Sequence, residues 1–504
     1  MPTRRPNILM VLTDDHGAHA VGSYGSVVNS TPQMGRIAAS GWVMEHAYCT
    51  NSICTPSRAS ILTGTYSHVN GVTTLSTPMD NTLPTFVSRL QEEGYRTAIV
   101  GKWHLGEGPE HQPRGFDYWE VLRDQGEYFD PLFLTPHGEH RRQGYATDVI
   151  TDLALDWLEE QHQDDPDAPW CLLVHHKAPH RSWLPDAKHA GMYTDPIPVP
   201  ETFTDDYATR GVAAHRAAMR VADHLSRVDL KQDPPEGLTY EESALWKYQR
   251  YMEDYLACIA SVDDNVGRLI DRLIEWDWFD DTLLTYTSDQ GFFLGDHGWY
   301  DKRFMYEESI RMPMLISYPA ALPAGRRSKR MITNVDLART YLEAAGVAPD
   351  PGMQGKSFFA DLRDELEPPQ DQAMYYRYWE NDDGIHNSLA HYGIRTERYK
   401  LIYFYNDGLG LPGTRAAIFA PEWELYDLQR DPAEVQNRAL DPEYAGVLAQ
   451  LKERLATEQA RVGDEPYAVS YDETGLPIPR NRPPRPKPTA GHAAPAHQAK
   501  GQRN

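Results

Sequence analysis

Cys54 opens the densest group of chemistry-bearing side chains, Cys54-Thr55-Pro56-Ser57-Arg58 followed by ASILTG. Thr55 can cap a helix and Pro56 suits the first helical position. Cys54 then stands just before a helix N-terminus, beside free N–H groups and the positive end of the dipole. Arg58, four residues on, can fold back to the same end. Such a setting suits a nucleophile that handles an anion. Taken alone, the pattern also describes a buried cysteine ahead of an ordinary capped helix.

Two polar pairs follow apolar runs. Asp14-Asp15 end NILMVLT, and Asp289-Gln290 follow TLLTYTS. Together they offer carboxylate and carboxamide oxygens, a set suited to a hard cation such as Ca²⁺. A single pair of this kind also serves as a solvated strand end or a helix cap. His16, His175, His176, His180 and His297 raise a rival two-zinc reading, for which Gln290 is a poor ligand. Lys102 and His104 lie two apart in GKWHLG, so in extended chain they face one side. Lys102 can bind an anionic oxygen and His104 can act as a base. His180, in HKAPHRSW, can bind an anion or protonate a leaving oxygen. Lys302, in DHGWYDKR, supplies another cation.

These residues need a scaffold that gathers strand ends. Short apolar runs at 7–13, 97–101, 171–175, 282–287 and 313–317 alternate with helical patterns at 85–93, 148–160, 251–276 and 334–345. That alternation predicts an α/β fold with a large, mostly parallel sheet flanked by helices. Ligands in such sheets sit at the carboxyl ends of the strands, where the polar residues cluster. The expected division is a catalytic α/β domain over 1–347, a connecting loop over 348–372 and a small α+β subdomain over 373–470. The last has aromatic-rich strands at 373–379, 392–395, 400–405 and 423–427, then a helix at 442–461. A Pro-rich basic tail over 471–504 reads as extended.

Composition narrows the classes. The 504 residues carry 49 basic and 73 acidic side chains, a net charge of −24, which argues against nucleic-acid binding. At 24% charged and 40% hydrophobic the chain is globular rather than disordered. No apolar run is long enough to span a bilayer. The N-terminal apolar stretch is short and lacks a cleavage region, so the expected location is cytoplasmic. Four scattered cysteines do not make a disulfide framework. Homo-oligomer formation stays open.

The C-T-P-S-R motif with its trailing T-G resembles that of the type I, formylglycine-dependent sulfatases, an alkaline-phosphatase-like family. The resemblance runs from NILMVLTDD to ELYDLQRDPAE. It implies that a formylglycine-generating enzyme oxidises Cys54 to formylglycine (3-oxoalanine), whose hydrate is the nucleophile. It further implies Ca²⁺ held by Asp14, Asp15, Asp289, Gln290 and residue 54. Gln290 departs from the family's common Asn. Arg58 would steady the formylglycine, with Lys102, His104, His180 and Lys302 as sulfate-binding and acid–base groups. Whether His180 or Lys302 is the general acid stays open. GFFLGDHGWYDKRFMYEESIRMPMLI and HNSLAHYGIRTERYKLIYFYND look most like bacterial carbohydrate sulfatases of the N-acetylglucosamine-6-sulfatase or mucin-desulfating kind. On that likeness His297, Trp299, Arg303, His386 and His391 are expected to line the substrate pocket. The implied reaction is hydrolysis of a small sulfate ester, with a sugar sulfate foremost. The motif is equally compatible with a phosphonate or phosphodiester monoester hydrolase and with an aryl or choline sulfatase. A non-catalytic binder of sulfated sugar is the reading from another class.

Overall fold

A computed structural model describes residues 4–471 and 477–479. Its centre is a ten-stranded sheet. In spatial order the strands are Arg326–Thr333, Gly41–Tyr48, Met314–Ser317, Thr282–Ser288, Asn7–Thr13, Trp170–His175, Arg96–Lys102, Tyr118–Leu122, Leu132–Thr135 and Gly138–Arg141. Met314–Ser317 and the terminal hairpin run antiparallel to their neighbours; the remaining pairings are parallel. The expected architecture is therefore present.

The central strands show why the sheet is covered on both faces. Along Asn7–Thr13, Ile8, Met10 and Leu12 enter one buried cluster while Leu9 and Val11 enter another. Cys171 and Leu173 alternate with Leu172 and Val174 in the same way. A period of two with apolar residues on both sides is the pattern of a strand between two helical layers. Helix Tyr240–Glu275 covers one face and is longer than the expected 251–276. Its first turns, YEESALWKYQR, look too polar to extend the pattern, but a capping box between Thr239 and Glu242 starts the helix there.

Beyond the large sheet, Ala373–Tyr378, His391–Thr396, Tyr399–Phe404 and Glu422–Asp427 form a four-stranded antiparallel sheet. Helix Ala445–Val462 packs on it through Leu451, Leu455 and Val462. The segment expected as loop at 348–372 carries a short helix, Phe359–Arg363. The small sheet reaches back to the large one. Tyr376 Oη donates to the Arg303 carbonyl at 2.7 Å and accepts from the Ser52 N–H at 3.1 Å. The four cysteines are buried and free. No helix among the described residues is long and apolar enough to cross a membrane. Apart from the paired strands Val469–Tyr471 and Pro477–Pro479, the expected tail lies outside the described residues.

Candidate active site

Parallel register brings the two acid pairs together. Thr13 stands opposite Ser288, so Asp14-Asp15 and Asp289-Gln290 leave adjacent strands side by side. All four side chains are fully buried. Asp15 and His104 adopt left-handed backbone, as do Asp301 and Arg303 on either side of Lys302. Non-glycine residues in that region mark turns whose geometry the surroundings enforce, and here such turns aim the polar side chains.

Cys54 sits two positions deeper than its motif suggests. Helix Cys54–Thr63 begins with the cysteine itself, and extended Ile53 is the N-cap. Thr55 therefore does not cap. Its Oγ1 lies 3.3 Å from His104 Nδ1. Every residue of this helix is buried, so packing rather than a surface cap fixes where it starts. Ser57 Oγ donates to the Asp289 carbonyl and accepts from Asn334 Nδ2 at 2.9 Å, tying the helix to the second acid pair.

Three cations surround the acids. Arg58 Nε donates to Asp289 Oδ2 at 2.9 Å, Lys102 Nζ is paired with Asp14, and Lys302 Nζ lies 2.6 and 2.7 Å from the Asp15 oxygens. Cys54 Sγ is 3.3 Å from Asp14 Oδ1. His180 Nδ1–H donates to the Arg181 carbonyl at 2.7 Å, and its Nε2 faces Asp15 at 3.8 Å. As the neutral ring it turns a lone pair toward the site. Burial pushes the Cys54 thiol up to about 12 and, against the pull of Lys302, Asp15 up to about 6. Burial likewise holds Lys102, His104 and His180 well below their ordinary values, with neighbouring cations adding to the effect on both histidines. Lys302 is raised although burial opposes it, because Asp15 stands against it.

The donor set fits a hard cation. Carboxylate oxygens of Asp14, Asp15 and Asp289 lie within 4.8 Å of one another. Gln290 Nε2 points at Asp15, 2.6 Å away, while its buried Oε1 has no hydrogen-bond partner among the described residues. Rotating the amide by half a turn places that oxygen among the carboxylates, completing an all-oxygen group beside residue 54.

All six expected catalytic residues, Cys54, Arg58, Lys102, His104, His180 and Lys302, therefore converge. The route for His104 differs from the expected extended alternation. Lys102 ends its strand, and the turn at His104 (φ 54°) carries the ring to Thr55.

The expected substrate residues divide. His297 and Trp299 are enclosed rather than lining a pocket. His297 Nδ1 is 2.8 Å from Asp205, and Trp299 stacks on Tyr207 at 5.0 Å. His391 is likewise caged by Tyr376, Tyr378, Phe304 and Phe404. These three are corrected to core positions, because aromatic neighbours distant in sequence close over them. Arg303 and His386 stay beside Lys302. Arg303 pairs with Glu380 at 3.0 Å and Asp383 at 3.1 Å, and His386 Nε2 lies 3.3 Å from Asp301.

Sequence reasoning missed the loop after strand Tyr118–Leu122. Gln125 Oε1 accepts from Lys102 Nζ, Asp124 lies 3.7 Å from His104 Nε2, and Tyr128 Oη donates to the His180 carbonyl at 2.6 Å. No motif marks these positions. It also missed Asn334, which holds Ser57.

With this geometry in place, comparison with known proteins is decisive. Residues 6–347 match the family model described as "Sulfatase", and residues 295–461 match "N-sulphoglucosamine sulphohydrolase, C-terminal". The chain belongs to the sulfatase family. It is thus a sulfuric ester hydrolase. An N-acetylglucosamine-6-O-sulfatase of Bacteroides thetaiotaomicron is 40% identical, covering 92% of this chain and 88% of the relative. A solved structure described as a complex with its substrate D-glucosamine-2-N,6-O-disulfate superposes with TM-score 0.85 at 39% identity, covering 91% and 98% of the two chains. A phosphonate monoester hydrolase from Silicibacter pomeroyi, TM-score 0.70 at 21% identity over 95% of this sulfatase and all of its own chain, shares the fold.

Proposed function

We propose that this sulfatase removes the 6-O-sulfate of a glucosamine-type sugar, N-acetylated or N-sulfated. The observation that carries the reading is the convergence of Cys54, four oxygen donors and three buried cations in a chain 40% identical to an N-acetylglucosamine-6-O-sulfatase. When matured to formylglycine, residue 54 would supply a hydrated aldehyde as nucleophile; Asp14, Asp15, Asp289 and Gln290 would hold a calcium ion, which would supply positive charge at the reacting group. The chain's own groups do the rest. Arg58 fixes Asp289 beside the nucleophile. Lys102 and Lys302, paired with Asp14 and Asp15, neutralise the sulfuryl group. Lys302 donates the proton to the departing alkoxide, since neutral His180, its Nδ1–H held by the Arg181 carbonyl, turns only a lone pair toward the site. His104, steadied by Thr55 and Asp124, takes a proton when sulfate is released. Arg303 and His386, with Asp301 and Asp383, offer donors and acceptors to the sugar hydroxyls next to Lys302.

The test is direct. Mass analysis of the peptide containing residue 54 reads conversion of thiol to aldehyde. Matured protein is then given N-acetylglucosamine-6-sulfate, an aryl sulfate and an aryl phosphonate ester. The expected result is turnover foremost on the sugar, abolished in Cys54→Ala. Preference for the phosphonate, or full activity in Cys54→Ala, overturns the reading.

A further inference from the structure

A cleft of about 280 Å³ opens beside the reacting groups, walled by Thr55, Ser76, Pro78, Trp103, His104 and Asp124. Leu75, on its wall, donates its N–H to Glu380 Oε1 at 2.6 Å, and Glu380 is the partner of Arg303. A second chamber of about 240 Å³ adjoins it beneath the hairpin Leu132–Thr135 and Gly138–Arg141. Trp103, Gly106, Glu107 and Leu134 border both. Together the two fall in the range of pockets for small ligands, roughly 300–1,000 Å³.

The walls are largely aromatic and aliphatic, while the rim is acidic. Glu107, Asp124 and Glu139 border the two chambers with side chains 47%, 76% and 50% exposed. Arg123 lies 3.6 Å from Glu107 and 3.4 Å from Glu139, while Asp124 stands against His104 on the side of the buried lysines. Two carboxylates against one guanidinium leave the outer rim of the groove negative, away from the catalytic cations. Any uronate or sulfate on a bound chain would meet like charge there, whereas neutral hydroxyls would meet none.

We infer that this two-chamber groove seats the saccharide unit attached to the sulfated sugar, and that it selects an uncharged one. The inference rests on the sugar-sulfatase reading above and deepens it. The substrate is then a fragment of at least two sugar units with a neutral neighbour beside the 6-sulfated residue, rather than a polyanionic chain.

The experiment compares kcat/KM of matured enzyme on N-acetylglucosamine-6-sulfate, on the same sugar linked to a neutral hexose, and on the same sugar linked to a hexuronate. The neutral disaccharide is expected to exceed the uronate-linked one by about tenfold at low ionic strength, and the gap to shrink with added salt. It is also expected to exceed the monosaccharide several-fold. Glu139→Gln and Glu107→Gln should each narrow the neutral-to-uronate ratio, to about threefold when combined. A ratio near one, or one that neither variant nor salt moves, overturns the inference while leaving the sugar-sulfatase reading intact. Failure to hydrolyse any of the three sugars, with turnover of aryl sulfate or phosphonate, overturns both.

Discussion

Arg58 Nε lies 2.9 Å from Asp289 while its Nη2 lies 3.7 Å from Asp14, so one guanidinium ties the ends of the two acid-bearing strands. The arginine is 1% exposed and both acids are fully buried. Arg58→Ala leaves buried Asp289 without its ion-pair partner and Asp14 with Lys102 alone, a change that costs about 3–5 kcal/mol of stability. A bound cation offsets part of that cost. The expected outcome is a lower Tm in chelator and a larger rise on adding calcium than the native protein shows. Thermal unfolding with chelator and with excess calcium checks it, and an equal rise in both proteins would count against shared charge.

Gln290 sets its amide against Asp14 and Asp15, with an oxygen that has no partner among the described residues. Gln290→Ala removes that donor without adding charge. Calcium affinity is expected to fall by about 10–100-fold, comparable with losing a supporting group at a metal site. Titration calorimetry on matured protein measures it. Activity should recover in part at saturating calcium, and unchanged affinity would exclude Gln290 from the ion's ligands.

Lys302 is assigned as proton donor to the leaving oxygen. A sugar alkoxide needs that proton; an activated aryl oxide does not. Lys302→Met should therefore lose about 10²–10⁴-fold in kcat on a sugar sulfate and far less on a nitrophenyl sulfate. Equal losses on both substrates would mean that the lysine only binds sulfate.

His391 gives a pH dependence of stability away from the site. Burial among aromatic rings pushes it from 6.5 down to about 3, so the folded protein keeps it neutral. The unfolded chain binds a proton below about 6.5. Folding stability is therefore fully present above that pH and declines as pH falls toward 3, by about 1.4 kcal/mol per pH unit within the window. His16 and His176 are also held down to about 3 and behave alike. His391→Phe should lessen the acid slope of urea unfolding between pH 6 and 4 by about one proton's worth, whatever its effect at neutral pH. A slope identical to native would contradict the assignment.

Much of the site was legible because it lies at strand ends. NILMVLT and TLLTYTS are apolar runs too uniform for a surface strand, so each locates the polar pair that follows. Cys54 was legible as a motif, but its helical register was not. Thr55 resembles a cap in sequence, whereas enclosure of Ile53 and of the whole first turn decides where the helix starts. His297, Trp299 and His391 show a different limit. Local sequence gives a polar aromatic patch, and contacts with Tyr207 or Phe404 decide whether it faces ligand or core. Gln125 and Tyr128 carry no local pattern; their roles arise because the loop that holds them meets Lys102 and the His180 carbonyl.

The parallel pairing of the first strand with Thr282–Ser288 also sets a timetable for synthesis. Asp15 and Asp289 are 274 residues apart along the chain. At a translation rate of roughly 5–20 residues per second, the second pair leaves the ribosome about a quarter-minute to a minute after the first. Until then the nascent chain carries two carboxylates on a strand with a vacant flank. A message broken before codon 290 yields a polypeptide that holds its cysteine yet never brings the two acid pairs together.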